Sequence, residues 1–248
     1  MSLWQLEVLR MVRTHRWTIV VGVYAVFGVL GPVSARYLSE IVGNFAGEVT
    51  IVVPDPRPVD GILQFVSNTT QLGLLAVVIV AASALAIDAR TEVAAFFRTR
   101  VEHGAVLLWP RYVVATATAV LALVAGSVIA WLLTAAMLGQ LPARAMVTGT
   151  ALGALYLAFA VAVVAAAGAI ARGVLPTVFA AVAALLLLPV AGVLPAVEPW
   201  LPSELLTAVV ALLEGEPVSG FLRAVGVTIV VTGLLLAFAA RRLQHRDL

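Results

Sequence analysis

The feature that most constrains this chain is a series of apolar runs too long for any soluble core to absorb. Six stand out, at residues 17–33, 72–87, 112–137, 145–171, 174–194 and 221–240. A helix that crosses a hydrocarbon core of about 30 Å needs roughly 20 apolar residues at about 1.5 Å rise each. The run at 72–87 is short, and its helix is expected to begin near Asp60 and to enter the membrane obliquely. Composition points the same way: 62% of the residues are hydrophobic, 11% are charged, and the mean hydropathy is +1.10. An ordinary soluble domain is about 25% charged. The expectation is an all-α, polytopic membrane protein whose residues 1–248 form a single transmembrane domain.

Orientation follows from the arginines, which supply all fifteen basic residues. Arg10, Arg13, Arg16, Arg90, Arg98, Arg100, Arg111, Arg172, Arg241, Arg242 and Arg246 fall in one alternate set of segments. Only Arg36, Arg57, Arg144 and Arg223 fall in the other. The positive-inside rule therefore predicts that both termini are cytoplasmic. On this reading the sequence pI near 9.5 belongs to topology, and no nucleic-acid partner is expected. A cleaved signal ending at "VSA" (Val33–Ala35) is the competing reading. Its basic region would be sixteen residues long and would contain Trp4.

Residues 1–16 read as an amphipathic helix lying on the membrane. Trp4, Val8, Met11 and Val12 form its apolar stripe, with Glu7, Arg10 and Arg13 on the other side. Residues 36–61 read as a polar, proline-rich outer loop with a candidate strand at 49–53. Residues 195–220 read as a re-entrant segment. Ser203 is placed to cap a helix there, with Glu204 in its first turn and Gly215 and Pro217 ending it. A helix of about eleven residues, roughly 16 Å long, is half of what a span requires. Its leucines and valines are nevertheless too apolar for open water.

A search for chemistry returns little. The chain holds no cysteine, no H-E-x-x-H, no G-x-S-x-G and no Walker-type phosphate loop. His15, His103 and His245 lie far apart, so no metal site is expected. No catalytic residue is assigned, and the chain is read as a non-enzyme. The span interiors carry no Asp, Glu, Arg or His, which argues against a proton- or sodium-driven carrier. Gln64, Asn68 and Gln71 share one face of the second helix under α-helical periodicity. They are candidates for a substrate path, or for hydrogen bonds between helices. "GTALG" (Gly149–Gly153) permits close helix packing. Any uphill movement therefore needs energy from a partner. Its natural docking point is residues 88–111, within "IDARTEVAAFFRTRVEHGAVLLWPRYV", the charged break between two apolar runs.

An amphipathic N-terminal helix, six spans, a long charged second cytoplasmic segment and a short re-entrant hairpin before the last span together resemble the type-2 ABC exporter permeases. "VDGILQFVSNTTQLGLLAVVIVAASALAIDAR" (Val59–Arg90) looks like that family's second span, ending in an acid, here Asp88. Arg111 falls where the family opens its third span with a lysine. Glu92 and Val93 replace the family's Gly-Thr, and Val101 replaces its proline. The resemblance implies a bacterial plasma-membrane subunit that pairs with a second permease copy, identical or not. It also implies a separate cytoplasmic ATPase, which would bind the ATP and magnesium that this chain does not. Arg90, Glu92, Phe96, Phe97, Arg98, Arg100 and Glu102 would then form a coupling helix, with Arg172 making a smaller contact. Aromatic residues with arginine are common anchors of protein interfaces. The opposing reading puts the two phenylalanines in lipid and leaves the arginines to set topology. The cargo implied by spans without charge is apolar or amphiphilic, a drug or a lipid. The alternatives in other classes are a non-transporting scaffold or sensor and a small channel.

Overall fold

The computed structural model describes residues 2–45, 55–86, 104–171 and 173–244; among them every regular element is helical. Helix α1 (Leu3–Arg13) precedes α2 (Arg16–Phe45), α3 (Pro58–Leu85), α4 (Gly104–Met137), α5 (Ala143–Ile170) and α6 (Val174–Ala191). The ten-residue α7 (Glu204–Leu213) and the final α8 (Leu222–Gln244) follow. Six of these are long and apolar enough to cross a membrane, one for each apolar run of the sequence. The candidate strand at 49–53 lies outside the described residues.

Several boundaries differ from expectation for identifiable reasons. α3 starts at Pro58, close to the expected Asp60. Proline suits the first helical turn. The Arg57 amide donates to the Asp60 carboxylate at 2.7 Å, which secures that turn. α4 starts at Gly104 rather than at residue 112, so the end of the charged segment is already helix. α2 runs unbroken through Val33–Ala35 and on to Phe45. α6 stops at Ala191, just after Pro189, earlier than residue 194, as the missing amide of a helical proline favours. Ser203 does sit at the start of α7, but its hydroxyl makes no capping bond and is buried without a partner. Gly215, with φ +100°, ends the turn after that helix, as expected of a left-handed glycine.

The bundle is assembled at small residues. Where α2 crosses α4, a Cβ on Gly28 would come within 2.6 Å of the Gly126 carbonyl oxygen. Where α2 meets α3, a Cβ on Gly31 would lie 2.8 Å from the Phe65 amide nitrogen. α5 occupies the centre, packing on α3, α4, α6, α7 and α8, and every residue from Phe159 to Ala169 is buried. Contacts also show the helices alternating in direction. Gly61, near the start of α3, packs on Thr134 and Leu138 at the end of α4. Gly168, near the end of α5, packs on Leu85 at the end of α3 and on Thr177 at the start of α6. Several threonines inside these helices return their hydroxyls to their own backbone. Thr118 donates to the Val114 carbonyl at 2.8 Å and Thr228 to the Ala224 carbonyl at 2.6 Å.

Candidate functional site

Two arrangements stand out, one at an end of the bundle and one within it. The first begins with α1. Ser2 caps this helix in a reciprocal box with Gln5, which satisfies two backbone amides at once. The link to α2 turns sharply at His15, with φ +52°. This turn lays α1 against the start of α4. Glu7 and Met11 are buried there, whereas Trp4, Val8 and Val12 stay exposed. The stripe reading therefore needs correction at two positions. Glu7 does not face water with Arg10 and Arg13, and Met11 leaves the exposed stripe to pack in the core.

Glu7 reaches the wall because a cation waits for it. Arg111, in the early turns of α4, donates its Nε–H to the Glu7 carboxylate at 2.9 Å, and both side chains are more than nine-tenths buried. Arg10 approaches the same carboxylate at 3.7 Å from the more exposed side. A buried charge is tolerated when it is paired and hydrogen-bonded, so each partner accounts for the other's burial. Nearby, Arg16 donates to the Ser83 hydroxyl at 2.7 Å, tying the start of α2 to the end of α3. At this end the helix before and the helix after residues 87–103 are therefore both pinned by arginine. The sequence reading assigns Arg111 to the charged segment before the third span; in the structure it is a buried member of that helix.

The second arrangement surrounds a break in α3. Residues Thr69–Gly73 form a π turn, a wider turn that recurs at functional sites. Thr69 donates its hydroxyl to the Phe65 carbonyl at 2.8 Å, and a Cβ on Gly73 would lie 3.1 Å from the Tyr24 ring. Beside this turn is a small cavity of about 30 Å³, whose mostly apolar lining includes the hydroxyl-bearing residues Tyr24, Thr69, Thr70, Ser127 and Thr150. That is room for one or two waters. Ser127 and Thr150 also form part of the wall of a larger apolar groove of about 440 Å³ between α4 and α5, which is lined by Val124, Val128, Trp131, Val147 and Ala151 among others. These two hydroxyl-bearing residues are thus shared by the small cavity and the larger groove.

The expected path residues fall elsewhere. Gln64 and Asn68 are half-buried, Gln71 is exposed, and none of the three lines the cavity or the groove. Their shared face assumes an uninterrupted 3.6-residue period, and the π turn begins directly after Asn68. The residues that do line the cavity from α3 are Phe65, Val66, Thr69, Thr70 and Leu74. Their signal in the sequence is weak, because two adjacent threonines just before an apolar run announce no site. The coupling candidates Arg90, Glu92, Phe96, Phe97, Arg98, Arg100, Glu102 and Arg172 all lie outside the described residues. Among the described residues, no group of three or more His, Asp or Glu side chains is arranged to hold a metal ion. The chain matches no family model, no curated protein and no solved structure.

Proposed function

We propose that this chain is the membrane-spanning permease subunit of an ATP-driven exporter of the type-2 ABC kind. It moves an apolar or amphiphilic substrate out of the cytoplasm with energy from a separate ATPase. The observation that carries this reading is the buried Glu7–Arg111 pair. It fuses α1 to the root of α4, at the end of the charged segment 88–111. A partner gripping that segment through Phe96 and Phe97, with Arg90, Glu92, Arg98, Arg100 and Glu102 around them, would push on a braced lever. Arg16 and Ser83 brace the helix at the other end of the segment in the same way. Arg172, between α5 and α6, adds the minor contact. This end of the bundle faces the cytoplasm together with both termini, a reading supported by the arginine distribution. The setting is the bacterial plasma membrane. α1, with Trp4, Val8 and Val12 turned outward, rests in the interface of that membrane.

A second permease copy completes the unit. Gln71 stands exposed on a face otherwise made of Leu72, Leu75 and Ile79, where a lone amide would find no partner in lipid. A facing copy supplies one, so that Gln64, Asn68 and Gln71 border a path between the copies. α7, too short to span, dips into the outer leaflet against α5, its backbone shielded there by protein. ATP closes the ATPase pair and favours one state of the spans, because the nucleotide binds the two states differently.

Purification from native membranes tests the proposal. A stoichiometric partner with a phosphate-binding loop is expected to accompany the chain, and Phe96→Ala with Phe97→Ala is expected to release it. Full co-elution of that partner with the double variant would overturn the docking assignment. The absence of any such partner from gently solubilised membranes would overturn the exporter reading itself.

A further inference from the structure

The groove between α4 and α5 opens on the side of the bundle, where Val124, Val128, Val147 and Ala151 are exposed. On helices of membrane-crossing length, such an opening faces acyl chains, so its ligand arrives from the bilayer. The groove encloses about 440 Å³. Small-molecule sites usually enclose roughly 300 to roughly 1000 Å³, so the size is suitable. An apolar groove alone would take any hydrocarbon. Two residues in the lining of this one, Ser127 and Thr150, carry hydroxyls.

Ser127 is only 7% exposed, yet it lines both the groove and the hydroxyl-bearing cavity behind it. Among the described residues, neither Ser127 nor Thr150 has a hydrogen-bond partner, in contrast to Thr69, Thr118 and Thr228, which bond their own backbone carbonyls. Ser127 precedes the end of α4 at Met137 by nearly three turns. That places it roughly 15 Å along the helix from that end. A hydroxyl at that depth gains from any ligand atom able to donate or accept. The lining of both chambers contains no charged side chain, so nothing there would compensate an ionised headgroup.

We propose that the groove and cavity together bind a neutral single-chain amphiphile that enters laterally from the membrane. Its uncharged hydrogen-bonding group meets Ser127 and Thr150. Its hydrocarbon tail lies along Val124 and Val120 on α4. The proposal deepens the permease reading by naming the class of cargo, and it rests on that reading only for what the bound molecule is used for.

The test is equilibrium binding of radiolabelled monooctanoylglycerol to the purified full chain in phosphatidylcholine nanodiscs, with octanoate and octane as the charged and purely apolar comparisons. Saturable binding of the monoglyceride is expected, with no saturable component for octanoate. Ala151→Phe adds a ring at an exposed groove position, away from the core, and is expected to weaken monoglyceride binding at least tenfold. Ser127→Ala with Thr150→Val removes two hydrogen bonds and is expected to weaken it about tenfold while leaving octane uptake unchanged. Helicity and monodispersity of each variant show that the fold is intact. Purely linear partitioning of all three probes, octanoate binding as tight as the monoglyceride, or Ala151→Phe binding like the parent would each overturn the proposal. No ATPase is present in this experiment, so its failure would leave the partnership with an ATPase standing, and loss of that partnership would leave this site standing.

Discussion

α5 and α6 are neighbours in the chain and almost equally apolar, yet they hold opposite positions. Their most apolar stretches have mean hydropathies of 2.2 and 2.4, but 67% of the α5 stretch is buried in protein against 22% of the α6 stretch. The contrast lies in side-chain size. From Tyr156 onward α5 reads "YLAFAVAVVAAAGA", and its first half presents Gly149 and Gly153 to α7 and α4. α6 turns Leu175, Phe179, Leu186, Leu187 and Val190 outward, each more than 60% exposed. In lipid, apolar area gives no preference between a protein neighbour and an acyl chain, and close packing of small residues decides which helix is central. Hydropathy says that a helix enters the membrane, and side-chain volume says where it stands.

If contact rather than apolarity sets energetic importance, the largest loss should come from one of the least apolar helices. Glu7→Ala removes the carboxylate that accepts from the buried Arg111 side chain and so breaks a buried ion pair. Such a loss costs about 3–5 kcal/mol. Thermal unfolding in detergent should show a correspondingly large drop in Tm, and Glu7→Ala with Arg111→Met should recover much of it. A Glu7→Ala variant as stable as the parent would mean that α1 is only a surface tether. Next comes the centre of the bundle. At Gly149 a Cβ would overlap the Val209 backbone, so Gly149→Leu must push α7 away from α5. Overpacking of this kind costs about 1–3 kcal/mol. Faster proteolysis within residues 195–220 is the measurement that locates the damage. The same leucine at Gly233 on α8, where a Cβ meets nothing within 4 Å, should be silent.

This contrast also sets how much is legible in the sequence. The six helices can be read because a bilayer leaves the backbone few other choices. The packing partner of "GTALG" cannot, because a small-xxx-small pattern announces closeness without naming what comes close. The start of α4 is hidden because charge reads as loop, and the exception depends on a carboxylate 104 residues away in the chain. The cavity is hidden for a related reason. Glutamine and asparagine look like path residues in a sequence, while Thr69, Thr70, Ser127 and Thr150 look like ordinary membrane-helix residues until the packing of three helices brings them to one cavity.

The exposed side of the comparison is tested by Leu187→Ala on α6, where the side chain is 65% exposed. The change should shift the stability of the isolated chain by no more than about 0.5 kcal/mol. A much larger loss in native membranes than in dilute detergent would mean that α6 is covered by another protein, and would move the proposed second copy to that face.

The smallest effect belongs to α7, the short helix that the small residues of α5 make room for. Burial first, and then the charges of Glu198 and Glu216, hold the Glu204 carboxyl above the usual carboxylate range. A carboxyl whose pKa rises on folding opposes the folded state once it ionises. Its cost is absent below the ordinary carboxylate pKa, develops as pH climbs through the shifted value, and persists above it. Glu204→Gln removes that cost. Its Tm should match the parent's in acid and exceed it slightly at neutral pH, with the crossover lying above the unperturbed carboxylate pKa of about 4.3. Equal Tm values across the whole range would show that Glu204 is fully solvated, and that the apolar face of α7 alone positions the helix against α5.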